Sequence, residues 1–115
     1  MEDKVYLIIE KKLLDDILSG TLREGDMVPS THQAAARFDV NPATAARGVS
    51  RLSEAGLLEK RRGIGLFVAP GARAAVAASR KARFREVLLP ELLEEARRLG
   101  ISRQELLALV MAAAR

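Results

Sequence analysis

The sequence predicts a mainly α chain. Three helices and a β-hairpin follow the order of a winged helix-turn-helix, and two or three further helices form a C-terminal tail. Three observations carry this prediction. Apolar residues recur at helical spacing from the first residues onward. Two helix-start signatures, Ser30 with Gln33 and Asn41 with Pro42, follow in close succession. The helical period then gives way to a strand–turn–strand pattern over residues 57–68.

The first helix should run from about Asp3 to Ser19. Val5, Ile9, Leu13 and Ile17 recur every four residues, Ile8, Leu14 and Leu18 widen the stripe, and Gly20 stands where a left-handed cap is wanted. Residues 21–29 read as a loop, with a turn at Gly25-Asp26 and a short strand at Met27-Val28. Ser30 and Gln33 have capping-box spacing, and Ala34, Ala35 and Phe38 give the second helix an apolar face that ends near Asp39. In the third helix Asn41 is the N-cap and Pro42 takes the first position, where its missing N–H costs nothing. Ala45, Val49 and Leu52 face one way, Thr44, Arg47 and Arg51 the other, and Gly56 ends the helix. Leu57-Leu58 and Leu66-Phe67-Val68 read as strands, with the turn at Arg61 to Gly65.

Ala69-Pro70-Gly71 is a candidate boundary, dividing the chain into domains 1–70 and 71–115. The Ala-rich stretch after it reads as a helical connector. Pro90 falls inside a helical pattern, which predicts a break or kink near Leu89. Gly100 closes that helix. Ser102 with Glu105 predicts another capping box, with Ile101 and Leu106 as a hydrophobic staple. Leucine-rich helices this short cannot bury their apolar surface alone. Phe84, Leu88, Leu92, Leu93, Leu99, Leu106, Leu109 and Val110 are therefore the candidate dimerisation residues.

Composition excludes several classes of function. With 115 residues the chain is too short for a dinucleotide fold or a barrel. It has no cysteine and one histidine, His32, so thiolate catalysis, a Ser-His-Asp set and a metal cluster are not expected, nor is a cofactor. Gly63 and Gly65 follow a strand but open no helix, unlike a phosphate loop. Glu91, Glu94 and Glu95 read as a solvated face. No apolar run is long enough to span a membrane and no signal peptide opens the chain, so a cytoplasmic location is expected. The net charge of +4 resides in residues 71–115, with nine basic and five acidic residues, whereas residues 1–70 carry ten of each. Inside that neutral front part, Arg47, Arg51, Lys60, Arg61 and Arg62 make a local basic patch, a better nucleic-acid signal than bulk charge.

The element order supplies a geometry for that patch. A helix fits the DNA major groove, its N-terminal residues reach base edges, and its unpaired N–H groups favour phosphate. The strings Ser19-Gly20-Thr21-Leu22, Gly25-Asp26, Val28-Pro29-Ser30 and NPATAARGVSRLSEAGLLEKRRGIGLFVA over residues 41–69 then resemble the GntR family of bacterial transcription regulators. Asn41-Pro42-Ala43-Thr44, with a short tail, resembles the YtrA-like branch. Its members dimerise through a small helical region and often sit beside genes for ATP-driven transporters.

The resemblance implies a homodimeric repressor that binds a palindromic double-stranded DNA operator through Ser30, Thr31, His32, Asn41, Ala43, Thr44, Arg47, Arg51, Arg61, Arg62 and Gly63. His32 stands where the family carries a contacting Arg. Ala46, Ile64 and Leu66 also depart from the family pattern, at two basic positions and a Thr. On residues alone, Arg47 fits either a base reader or a phosphate anchor, and Arg51 equally fits a solvated helix face. The competing reading is a winged-helix protein–protein adaptor, which would more often carry apolar or acidic residues beside Thr44. The tail is too small to enclose a metabolite of usual size, so an effector of unknown identity would sit between copies or between domains.

Overall fold

The computed structural model describes residues 4–114. Asp3, the expected start of the first helix, lies outside them. Contacts divide the chain into two compact units, Met1–Ala78 and Ser79–Arg115.

In the first unit α1 covers Val5–Ser19 and buries Ile9, Leu13 and Ile17, the stripe that the sequence spacing predicts, while Ile8 is exposed. Gly20 terminates it at φ +85°, a conformation that costs other residues a Cβ clash. The segment that follows lies against the hairpin through an isolated β-bridge rather than the short strand expected at Met27-Val28. Met27 bridges Phe67, the Val28 N–H donates to the Leu66 carbonyl at 2.8 Å, and the Val68 N–H donates to the Asp26 carbonyl at 2.9 Å.

Helix α2 (Thr31–Phe38) opens with the predicted capping box. Ser30 Oγ accepts from the Gln33 N–H at 3.1 Å, and Gln33 Oε1 accepts from the Ser30 N–H at 2.9 Å. Asp39 closes the helix at φ +53°. Helix α3 (Pro42–Glu54) follows, with Asn41 Oδ1 accepting from the Thr44 N–H at 2.9 Å. Strands β1 (Leu58–Arg61) and β2 (Gly65–Val68) pair antiparallel in the register Leu58 with Val68 through Arg61 with Gly65. Arg61, expected in the turn, is thus the last strand residue, because its pairing with Gly65 leaves residues 62–64 to make the turn. The beginning of α4 (Ala72–Arg83) completes the unit by burying Ala72 and Val76 in the same core as Leu13, Leu52 and Val68. Two bonds fix it there: the Gly71 N–H donates to the Glu24 carboxylate at 3.0 Å, and Arg73 Nε–H donates to the Leu18 carbonyl at 3.1 Å.

In the second unit the end of α4 passes into a π-helical turn over Phe84–Leu88, then α5 (Leu89–Arg98) and α6 (Arg103–Ala113). The break or kink expected near Leu89 takes the form of this interruption in the α register, without a break in the helical backbone. Leu88 and Leu89 keep helical dihedrals, and the Leu89 N–H reaches back five residues to the Phe84 carbonyl. One wider turn relieves the clash that Pro90 would make in an α register, and Pro90 itself sits in the first turn of α5. Ser102 Oγ accepts from the Glu105 N–H at 3.1 Å, the one half of the expected capping box that forms among the described residues. Ile101 and Leu106 line one apolar groove between α5 and α6 with Leu92, Leu99 and Leu109. No helix among the described residues is long and apolar enough to cross a membrane.

Candidate nucleic-acid interface

The second helix of the pair is the rigid part of the site. Helix α3 packs against α1, α2 and β1, and Ala45, Gly48, Val49 and Leu52 are buried at those contacts. Gly48 shows how close the approach is. A Cβ there would lie 2.9 Å from the Tyr6 carbonyl oxygen and 3.0 Å from Ile9 Cβ, so only glycine lets α1 and α3 meet at this distance.

The opposite face carries the predicted contact residues. Asn41, Ala43, Arg47 and Arg51 are exposed, and Thr44 is half-buried. Asn41 and Thr44 are joined by the cap bond, which occupies one lone pair of the Asn41 side chain and fixes the first turn. That turn presents uncapped N–H groups and the positive end of the helix dipole to solvent. At the start of α2, Ser30 spends its side chain on the capping box, Thr31 is half-buried and His32 is exposed. Arg62 and Gly63 are exposed at the hairpin tip, where Gly63 adopts φ +76° and the Ile64 N–H closes the turn on the Arg61 carbonyl at 3.0 Å. Arg61 lies back along the hairpin, with its guanidinium 4.0 Å from the centre of the Phe67 ring.

The two arginines of α3 are brought together by α1. The Arg47 guanidinium lies 3.9 Å from the centre of the Tyr6 ring, and that of Arg51 lies 5.5 Å from the same ring. Arg51 also donates through Nε to the Glu10 carboxylate. That hydrogen bond first, and charge attraction to Glu10 second, raise the Arg51 pKa above its ordinary value. Tyr6 and Glu10 escape a motif-by-motif reading of the sequence. The signal for them is a matched spacing: Tyr6 and Glu10 stand four apart on α1, as Arg47 and Arg51 do on α3.

No group of three or more His, Asp or Glu side chains among the described residues is placed to hold a metal. The predicted dimerisation residues are all accessible. Phe84, Leu88, Leu92, Leu93, Leu99, Leu109 and Val110 are exposed, and Leu106 is half-buried.

The comparisons with known proteins agree with this geometry. The model of bacterial regulatory proteins of the gntR family matches residues 5–68. An uncharacterised HTH-type transcriptional regulator of Bacillus subtilis, YhcF, is 29% identical over 103 residues, covering 90% of this chain and 84% of its own. The HTH-type transcriptional repressor YtrA of the same organism is 24% identical over 102 residues, covering 89% of this chain and 78% of its own. A crystal structure of a GntR-family transcriptional regulator from Bacteroides thetaiotaomicron superposes with a TM-score of 0.75 at 30% identity, over 94% of each chain.

Proposed function

The chain belongs to the GntR family of bacterial regulatory proteins, transcription regulators rather than enzymes, and from that premise we propose that it is a homodimeric repressor. On this reading the dimer occupies a palindromic operator and excludes polymerase, with residues 1–70 binding DNA and residues 71–115 linking and dimerising the copies. The observation that carries it is the first turn of α3, capped by Asn41 and exposed at Asn41 and Ala43, on a helix held by three neighbouring elements. Such a helix end fits the major groove. The exposed α2 start (Ser30, His32) and hairpin tip (Arg62, Gly63) add positions for backbone contacts, which give affinity without sequence preference. The exposed leucines of α5 and α6 call for a second copy, and a dimer sets two α3 helices on half-sites about one helical turn apart. A relative named as an HTH-type transcriptional repressor supports the repressor reading, and a transporter operon is the target that the resemblance to the YtrA-like branch implies.

The test is fluorescence anisotropy of the full chain on the DNA upstream of its own gene, beside a shuffled duplex of equal length, at low and near-physiological salt. The expected result is a preference for the native fragment that persists as salt rises. Equal binding that collapses with salt would remove the repressor reading and favour the adaptor. Sedimentation in the same buffer should show a dimer.

A further inference from the structure

The arrangement around Tyr6 goes beyond the assignment of α3 as the reading helix, and it rests on that assignment. A guanidinium stacked flat on a ring has one face covered and its N–H edge left free in the plane of the stack. The exposed Arg47 guanidinium carbon lies over Tyr6, 3.9 Å from the ring centre, a contact close enough to restrain this otherwise flexible side chain. Arg51 is engaged differently. Its Nε is committed to Glu10, so part of its donor fork serves α1. Arg47 makes no ion pair with a carboxylate among the described residues, and its charge is available to an anion.

We propose that Tyr6 is a positioning residue for DNA binding. Its ring presents Arg47 as a phosphate clamp at the α1–α3 seam, while the Glu10–Arg51 pair braces the seam beneath it. The division follows position along the helix. Base edges are reached from the N-terminal turn of α3, where Asn41, Ala43 and Thr44 stand, whereas Arg47 lies a turn further on and is drawn toward α1. Its ligand is a backbone phosphate of duplex DNA, so it contributes affinity and salt dependence without sequence preference.

The experiment uses the full chain and its Tyr6→Leu, Tyr6→Phe, Arg47→Ala and Tyr6→Leu/Arg47→Ala variants. Each is titrated across a salt series on the native upstream fragment and on the shuffled duplex, with a thermal melt alongside. Arg47→Ala should weaken binding to both duplexes by the same factor and lower the slope of log affinity against log salt by about one. Tyr6→Leu should weaken both by about two- to fivefold. It should cost nothing further once Arg47 is alanine, and Tyr6→Phe should bind like the unaltered chain.

The clamp is overturned if the Arg47→Ala loss is confined to the native fragment, if Tyr6→Leu still weakens binding in the Arg47→Ala background, or if Tyr6→Phe is as weak as Tyr6→Leu. Should Tyr6→Leu fail to fold, proton NMR of the unaltered chain decides. Upfield ring-current shifts on the Arg47 side chain support the stack, and their absence refutes it. If the unaltered chain binds both duplexes alike, the repressor reading fails, and the salt slopes on the shuffled duplex still judge the clamp. No binding to either duplex removes both.

Discussion

The two units of this chain use leucine in opposite ways. In the first, Leu13 and Leu52 are 1% exposed, and α1, α2, α3, the hairpin and the start of α4 share one core. In the second, Ala96 is the one buried residue among those described, while Leu93 is 50% exposed, Leu99 65% and Met111 77%. Full burial of a leucine is worth about 1.5–3 kcal/mol, so the first unit collects a stabilisation that the second leaves largely unrealised. The stability of the two units therefore has different sources. The first is stabilised by its own packing, whereas the second leaves its apolar side chains exposed.

The same substitution made in both units should separate them most clearly. Leu52→Ala should cost about 2–5 kcal/mol in urea denaturation, because a rigid core leaves a cavity. Gly48→Ala comes next, at about 1–3 kcal/mol, since the new methyl meets the Tyr6 backbone and cannot displace it as it could a side chain. An unchanged midpoint for Gly48→Ala would mean that α1 and α3 can separate without loss, contrary to the seam described above.

A smaller and opposite effect is expected at Asp39→Gly, which relieves the one positive-φ non-glycine residue described and should stabilise the chain by about 0.5–1 kcal/mol. The melting temperature would check its sign. Leu93→Ala should have the smallest effect on a dilute monomer, within about 0.5 kcal/mol. Its cost should grow with protein concentration if a second copy covers this face, because association stabilises the folded chain by mass action. A concentration-independent cost as large as that of Leu52→Ala would erase the contrast between the units.

Much of the fold could be read from local rules. The caps at Ser30, Asn41 and Ser102, the α1 stripe and the order of helices and hairpin all depend on residues within a few positions of each other. That is the range over which capping and periodicity act. The irregularity expected near Pro90 takes the form of a single wider turn, which meets the proline's steric demand without ending the helix; the proline rule alone does not choose between these outcomes. The interface was legible only in part. Asn41 and Thr44 announce themselves through a local bond. The surroundings of Arg47 and Arg51 depend on Tyr6 and Glu10, about forty residues earlier, and the matched spacing on the two helices does not by itself say that those helices meet.

The Tyr6 stack also gives the protein a built-in optical gauge. The chain holds one tyrosine and no tryptophan, so its tyrosine emission comes from a single ring, and that ring carries the Arg47 guanidinium. Any event that draws the arginine toward a phosphate alters the surroundings of the only emitter of its kind. Association with DNA can therefore be timed by stopped-flow fluorescence on the unlabelled chain, with no dye to perturb the seam it reports.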